Sequence, residues 1–523
     1  MDRQLIRTYP KTDLGAAESG FGVEQGVFEK RIHEGICFQT ERRSDPKEPQ
    51  PQRVAQEVAC SSVRFDEDRP TGIPVAKAAL LQANSRATAS KIGFGIGSSN
   101  SLNRREFLKQ SALGAAALAG LPSLDYPLLA AASGRASRIE AVVELVLERN
   151  GEQRRVLKVI SSSGAAGYAD FPGLDYAPSL GGVAKKHLIG VNPYAVEAIW
   201  SKMRQNGVLI SHRTAVDYAL WDLMGREAGK PVYELLGGPV RDRIRIYHYG
   251  RPGRTKNEFD ENLWRDLGRR LAQKPGAAVK TDPFAVFEHL VGDKAWEPGV
   301  CEGGGKMPTE ENIAFNEMVF RCLREGAGDK LDLIHGGHGQ ACADGAIATC
   351  KQLEQYDPLW MEEPVAATSS MDEMAKVAAA TTVPLATGEN LQGLEDFTRL
   401  IDKRAASILN LPPPNVGGLT EARKIATLAQ IRGLQIAPHF FSYGPLTWAA
   451  MANLCMAVPN VLILEVNAIR EVDPPVATNK RLNTNHFFKE PIVFDGYYFT
   501  PNGKPGMGYE YDEQLVVSRR RLA

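Results

Sequence analysis

Leu331-Asp332-Leu333-Ile334-His335, Leu359-Trp360-Met361-Glu362 and Pro384-Leu385-Ala386-Thr387-Gly388-Glu389 are three short, mostly apolar runs, each ending in a side chain able to hold a metal. The step from His335 to Glu362 is 27 residues, and so is the step from Glu362 to Glu389. One strand plus one returning helix fills such an interval, which is the period of a β/α barrel. Parallel barrel strands bring their C-terminal ends to one mouth. Two carboxylates and an imidazole gathered there predict a divalent-metal centre.

Outward from these runs the alternation continues. Apolar strand-like segments fall at 244–249, 277–280, 331–335, 358–362, 384–389, 407–411, 434–439 and 461–465, eight in all. Segments between them, such as 343–356 and 419–431, show the amphipathic period of outer helices. The expected fold is α/β, a modified (β/α)8 TIM barrel. One connection, 285–328, is unusually long and contains Pro298-Gly299 and Gly303-Gly304-Gly305, which predicts a loop insertion. Ahead of the barrel, the alternating run from Ile139 is repeated from Arg155 to Ile160 across Asn150-Gly151, as a β-hairpin would be. Helical spacing follows at 193–203 and 214–228. This predicts an N-terminal α+β capping domain. The division expected is a cap at 136–243, a barrel at 244–470 and a C-terminal segment at 471–523. Within that last segment, the stretch 495–510 reads as a strand and turn returning to cover the cap.

Composition narrows the partners. With 43% hydrophobic residues over 523, the chain can bury a large core, and 62 basic residues against 62 acidic leave no field to attract nucleic acid or an anionic membrane. A small molecule is the expected partner. The seven cysteines (36, 60, 301, 322, 342, 350 and 455) form no C-x-x-C pair. Cys342 and Cys350 read as buried helical residues. Ser101-Leu102-Asn103-Arg104-Arg105-Glu106-Phe107-Leu108-Lys109 resembles a twin-arginine export motif, followed by the apolar stretch 112–121 and a small-residue site at Ala130-Ala131-Ala132. A signal peptide at 101–135 and a periplasmic or exported location are expected. Residues 1–100, polar and irregular, are expected to be a disordered or misassigned extension.

The stretch 215–238, AVDYALWDLMGREAGKPVYELLGG, closely resembles the signature of the mandelate racemase and muconate lactonizing branch of the enolase superfamily. The likeness runs on through Met361-Glu362-Glu363-Pro364, Thr387-Gly388-Glu389-Asn390, Gly417-Gly418-Leu419-Thr420-Glu421-Ala422, Ala437-Pro438-His439 and Pro505-Gly506-Met507-Gly508. What it implies is a cap closing over a barrel, with Mg2+ held by acidic strand ends. A base then takes the proton next to a substrate carboxylate. The closest motifs are those of acid-sugar (galactonate-type) dehydratases, so a sugar acid is the implied substrate and a homo-oligomer the implied assembly.

Carried over position by position, the resemblance makes Glu362 and Glu389 metal ligands, His439 the base and His338 the acid that protonates a departing hydroxyl. Lys280, in Lys280-Thr281-Asp282-Pro283-Phe284, is placed against the substrate carboxylate or the developing anion, with Asp282 steadying it and Glu465 hydrogen-bonding the substrate carboxylate end. Two positions depart from the pattern. Gly336 stands where the family has its first acidic ligand, and a one-residue shift would make His335 that ligand, favouring Mn2+, Fe2+ or Zn2+ over Mg2+. Pro412 stands where an Asp would orient the base, and proline offers no side-chain acceptor. The expected activity is elimination of water from a sugar acid to give a 2-keto-3-deoxy acid. The alternatives are an epimerase, racemase or cycloisomerase sharing the first step, and a catalytically silent exported relative.

Overall fold

The computed structural model describes residues 137–170, 178–252, 258–299, 301, 304–368, 370–440, 443–466 and 484–523. The extension at 1–100 and the export-like segment at 101–135 lie outside the described residues, as do 171–177 and 467–483.

Strands β1 (Ile139–Arg149) and β2 (Glu152–Ser161) form the antiparallel hairpin that the alternation predicts, with Arg149 paired to Glu152. Asn150 and Gly151 turn the chain with φ of 55° and 75°, the two positive values that a tight hairpin turn demands. Strand β3 (Ala166–Ala169) extends this sheet, and the buried helix Ile210–Ala228 lies across it. Their approach is very close. A Cβ added to Gly167 would stand 2.1 Å from the Ala219 carbonyl oxygen, so only glycine fits there.

The barrel strands are β4 (Ile244–Tyr249), β5 (Ala278–Thr281), β6 (Asp332–Gly336), β7 (Trp360–Glu362), β8 (Leu385–Thr387), β9 (Ile408–Leu409), β10 (Gln435–Ile436) and β11 (Leu464–Glu465). Each pairs in parallel with its sequence neighbour from β4 to β10, and β11 pairs in parallel with β4. A parallel bridge from Ile436 to Val461 closes the ring. Inside it lies a buried cluster distinct from the main core: Tyr247, Ala278, Ile334, Trp360, Ala386, Ile408, Ala437 and Ile463. Each strand, or its immediate continuation, supplies one of these residues, which is the layered filling of such barrels.

The connection before β6 is mostly helical, not the loop expected over 285–328. It contains the helices Pro283–Val291 and Glu310–Ala327, the second capped by the Thr309 hydroxyl, which accepts from the Asn312 amide at 3.2 Å. The Pro-Gly and Gly-rich signals belong to the short irregular stretch between them. Cys301 in that stretch forms a disulfide with Cys342. Cys342 therefore precedes the helix Ala343–Leu353 as a tethered residue rather than lying within it as a free thiol. The C-terminal segment meets the cap twice. Strand β12 (Tyr498–Phe499) pairs with the start of β4, the turn after it reaches the cap as expected, with the Val232 amide donating to the Gly506 carbonyl at 2.9 Å, and β13 (Val516–Arg521) then runs antiparallel to β1.

The 215–238 signature joins these parts. Asp222 accepts hydrogen bonds from the amides of Tyr168 (2.9 Å) and Met507 (2.7 Å) and from Arg226 Nε (2.8 Å). Tyr218 Oη donates to the Pro413 carbonyl at 2.8 Å and Trp221 Nε1 to Thr420 Oγ1 at 3.0 Å, which docks the cap helix on the loop after β9 and on the helix Gly418–Ile431 that follows it.

Candidate active site at the barrel mouth

Side chains alternate along a strand, so the residues two beyond the interior layer again face inward. They are Tyr249, Lys280, Gly336, Glu362, Gly388, Asn410, His439 and Glu465, a layer at the C-terminal mouth. The inward positions on β6, β7 and β8 are thus 336, 362 and 388, spaced by 26 residues rather than 27. Glu389 reaches the site from one residue past its inward position, after Gly388 with φ 128°.

This register corrects the reading of His335 as a ligand. Gly336 pairs with Glu362 while His335 pairs with Met361, so the imidazole points outward to the helices. It is fully buried, with Nε2 2.6 Å from Asn316 Oδ1, and packs edge-on to Phe284 and stacked on Phe320. Burial pushes it down to about 3, so it is a neutral core histidine. The argument for a softer metal through His335 falls with it.

The other seven expected residues converge. Lys280 is 3% exposed, and its Nζ lies 2.8 Å from Glu362 Oε1 and 2.7 Å from Glu465 Oε1. Burial would lower its pKa, but those two carboxylates outweigh it and hold the ammonium well above the ordinary lysine value. Trp360 Nε1 donates to Glu362 Oε2 at 3.1 Å and the Phe440 amide to Glu465 Oε2 at 2.8 Å, so both carboxylates are fixed. His439 Nε2 stands 3.1 Å from Glu389 Oε2 and 3.7 Å from Glu465 Oε2. Burial pushes this imidazole down to about 3, and burial, then Glu363 and Glu362, push the Glu389 carboxyl up to about 8. On the far side, His338 Nε2 lies 3.1 Å from Asp282 Oδ2. That hydrogen bond raises His338 to about 9, which makes it an imidazolium at neutral pH.

His439 Nδ1 is buried without a hydrogen-bond partner among the described residues, as the proline at 412 foretells. Glu363 is buried, and it accepts from Asn390 Nδ2 (3.0 Å) and Thr387 Oγ1 (3.3 Å). Sequence reading missed Trp360, which shares a strand face with Glu362 two residues on. It also missed Tyr249, whose phenol is pushed well up by burial and by the adjacent Asp282. Both sit at the i, i+2 positions that strand alternation marks as inward.

The donor set suits a divalent cation. Donor atoms of Glu362, Glu389 and His439 all lie within 4.8 Å of one another. Around them Glu363, Glu465 and Asp282 leave more carboxylate than Lys280 and the His338 imidazolium together neutralise, and burial makes that excess costly without a further positive charge.

Two family models match: the mandelate racemase/muconate lactonizing enzyme N-terminal domain over 155–237 and the enolase C-terminal domain-like model over 299–515. The chain belongs to the mandelate racemase/muconate lactonizing enzyme family of the enolase superfamily. Within it, the chain is 30% identical over 345 residues to a D-galactonate dehydratase of Ralstonia pickettii (strain 12J), covering 64% of this chain and 82% of the relative. A D-galactonate dehydratase of Pectobacterium atrosepticum is 29% identical over 347 residues, with the same two coverages. Among solved structures, a mandelate racemase/muconate lactonizing enzyme from a Sulfitobacter species matches with a TM-score of 0.61 at 27% identity, over 73% of this chain and 94% of that one.

Proposed function

We propose that this protein is a divalent-metal-dependent dehydratase of a sugar acid, forming a 2-keto-3-deoxy acid. One observation carries the reading. Two imidazoles, His439 after β10 and His338 after β6, flank a single mouth from strands four apart in a ring of eight, with Lys280 and the carboxylates between them. Elimination needs a base and an acid in such an arrangement, whereas proton exchange at one carbon does not need the acid.

Glu362 and Glu389 would hold Mg2+ or Mn2+, which supplies positive charge to a substrate carboxylate and so acidifies the neighbouring carbon. His439 Nε2 takes the proton from that carbon. The Lys280 ammonium sits against the developing enediolate, and Glu465 fixes both Lys280 and the carboxylate end of the substrate. His338 gives its proton to the hydroxyl on the next carbon as the C–O bond breaks, water leaves, and the enol product tautomerises to the keto acid. Asp282 holds His338 charged for that transfer. The unpartnered His439 Nδ1 favours a second reading, a catalytically silent relative whose base has lost its orienting carboxylate.

The test is to incubate the protein with Mg2+ or Mn2+ and a panel of aldonates and aldarates in D2O, following deuterium incorporation by NMR and keto acid by semicarbazone absorbance. Keto-acid release establishes the dehydratase. Exchange without release establishes an epimerase or racemase, and neither, in folded protein, establishes the silent relative.

The export reading is part of the proposal. The Cys301–Cys342 disulfide supports it, because such bonds persist in oxidising compartments. The cap at 136–243, barrel at 244–470, C-terminal segment at 471–523 and a homo-oligomeric assembly remain the proposed organisation.

A further inference from the structure

A Cβ added to Gly336 would stand 2.0 Å from Asp282 Oδ1 and 3.1 Å from Asp282 Cγ, with His338 Nε2 next at 3.6 Å. An aspartate's own carboxyl oxygens lie about 2.4 Å from its Cβ, by ordinary bond lengths. Asp282 Oδ1 therefore lies within the space that a side chain at position 336 would enter, at about the distance from Cβ that a carboxylate oxygen there would have. The register explains how. Thr281 pairs with His335 on adjacent parallel strands, so the next residue, Asp282, stands opposite Gly336, which pairs in turn with Glu362.

Asp282 is also withheld from its commonest local task. It occupies the N-cap of the helix Pro283–Val291, where an aspartate ordinarily accepts from the first turn of amides, yet its side chain makes no capping bond. Oδ2 engages His338 and the Tyr249 phenol lies beside the carboxyl, while Oδ1 is buried and meets no partner in good hydrogen-bond geometry among the described residues. A buried, unpartnered carboxylate oxygen facing the mouth is costly unless it meets a cation there.

We infer that Asp282 is the third acidic ligand of the metal centre, donated through Oδ1 from β5 into the space that Gly336 leaves open on β6. The inference rests on the metal-dependent reading of this site. It assigns oxygen donors from β5, β7 and the loop after β8, which suits Mg2+ or Mn2+. It leaves His439 Nε2 free to accept a proton, which a ligating nitrogen could not do. Oδ2 remains on His338, so one carboxylate links the cation site to the acid.

The test is Mn2+ binding to the full chain, followed by electron paramagnetic resonance of free Mn2+, with circular dichroism checking the fold of each variant. Asp282→Asn is expected to weaken binding by more than about 100-fold, the upper end of what losing a mere supporting partner costs. The paired variant Asp282→Ser with Gly336→Asp moves the carboxylate back across to β6, and is expected to bind within about tenfold of the parent. A smaller loss in Asp282→Asn, or a paired variant no tighter than Asp282→Ser alone, overturns the inference. So does a loss found in His439→Asn and absent from Asp282→Asn, which would make the imidazole the third ligand. Glu389→Gln separates this from the underlying reading. If the parent binds Mn2+ and Glu389→Gln does not, the metal site stands whatever Asp282 does. If the parent binds none, the reading and the inference fall together.

Discussion

His439 and His338 are the same residue type made into opposite reagents by their surroundings. His439 is 8% exposed and kept neutral by burial, whereas His338 is held charged by Asp282. Their substitutions are expected to separate the two halves of the reaction. His439→Asn removes the base, so deuterium incorporation and keto-acid formation both fall, by about 10²–10⁴-fold in kcat/KM. His338→Asn lowers keto-acid formation by a similar factor but leaves deuterium incorporation at the α-carbon, measurable by NMR, within a few-fold of the parent. Equal loss of both signals in His338→Asn would show that it acts elsewhere than on the leaving group. His439 and Glu362 were legible in the sequence because their motifs are local: Ala437-Pro438-His439 and Met361-Glu362-Glu363-Pro364 need no tertiary knowledge. His335 was misread for an equally local reason. A regular interval of 27 matched Glu362 to Glu389, but strand alternation, with period two, decides which side chain enters the barrel, and a one-residue error turns it to the other face.

At the scale of elements, close packing within the cap and of the cap on the barrel sets the tolerances. Gly167→Ala would drive a methyl group into the Ala219 carbonyl and the Leu223 amide of the crossing helix, contacts of 2.1 Å and 2.4 Å that must open. A loss of about 1–3 kcal/mol is expected in urea unfolding, as for other overpacked contacts. Asp217, on the same helix, is fully buried over the start of the helix Gly418–Ile431, where its Oδ1 accepts from the Thr420 amide at 3.3 Å and Oδ2 has no partner among the described residues. Burial raises its carboxyl to about 7. A folded-state value above the unfolded one means the native chain holds the extra proton. The stability it confers is therefore complete below about pH 4 and is lost as pH rises through about 7, on the order of a few kcal/mol. Asp217→Asn should flatten stability between pH 4 and 7, read from urea midpoints across that range. An unchanged slope would mean that Asp217 is ionised throughout. The strand segments themselves were readable as apolar runs. The insertion was not, because its glycines and prolines advertised a loop while the amphipathic stretch Glu310–Ala327 beside them was a buried, capped helix.

At the scale of the whole molecule, the Cys301–Cys342 bond spans 41 residues and ties the irregular stretch of the insertion to the chain just beyond the mouth residues of β6. Closing a loop of that length is expected to contribute about 2–4 kcal/mol. Peptide mapping without reductant should recover the linked pair, and reductant should lower the thermal midpoint of the parent but not of Cys301→Ser; free thiols at both positions in native protein would refute the bond. Local sequence determined the barrel, the cap, the lineage and most of the chemistry-bearing residues, because apolar runs, turn residues and short motifs express their physics within a few positions. Only the tertiary structure decided which faces those residues turn to the mouth and what fills a gap between strands. Glycine at 336 looks in the sequence like a ligand lost. The space it leaves is occupied by Asp282, 54 residues earlier, because parallel pairing in register brings the ends of β5 and β6 side by side. Pairing across strands is a property of the closed sheet, and no interval along the chain encodes it.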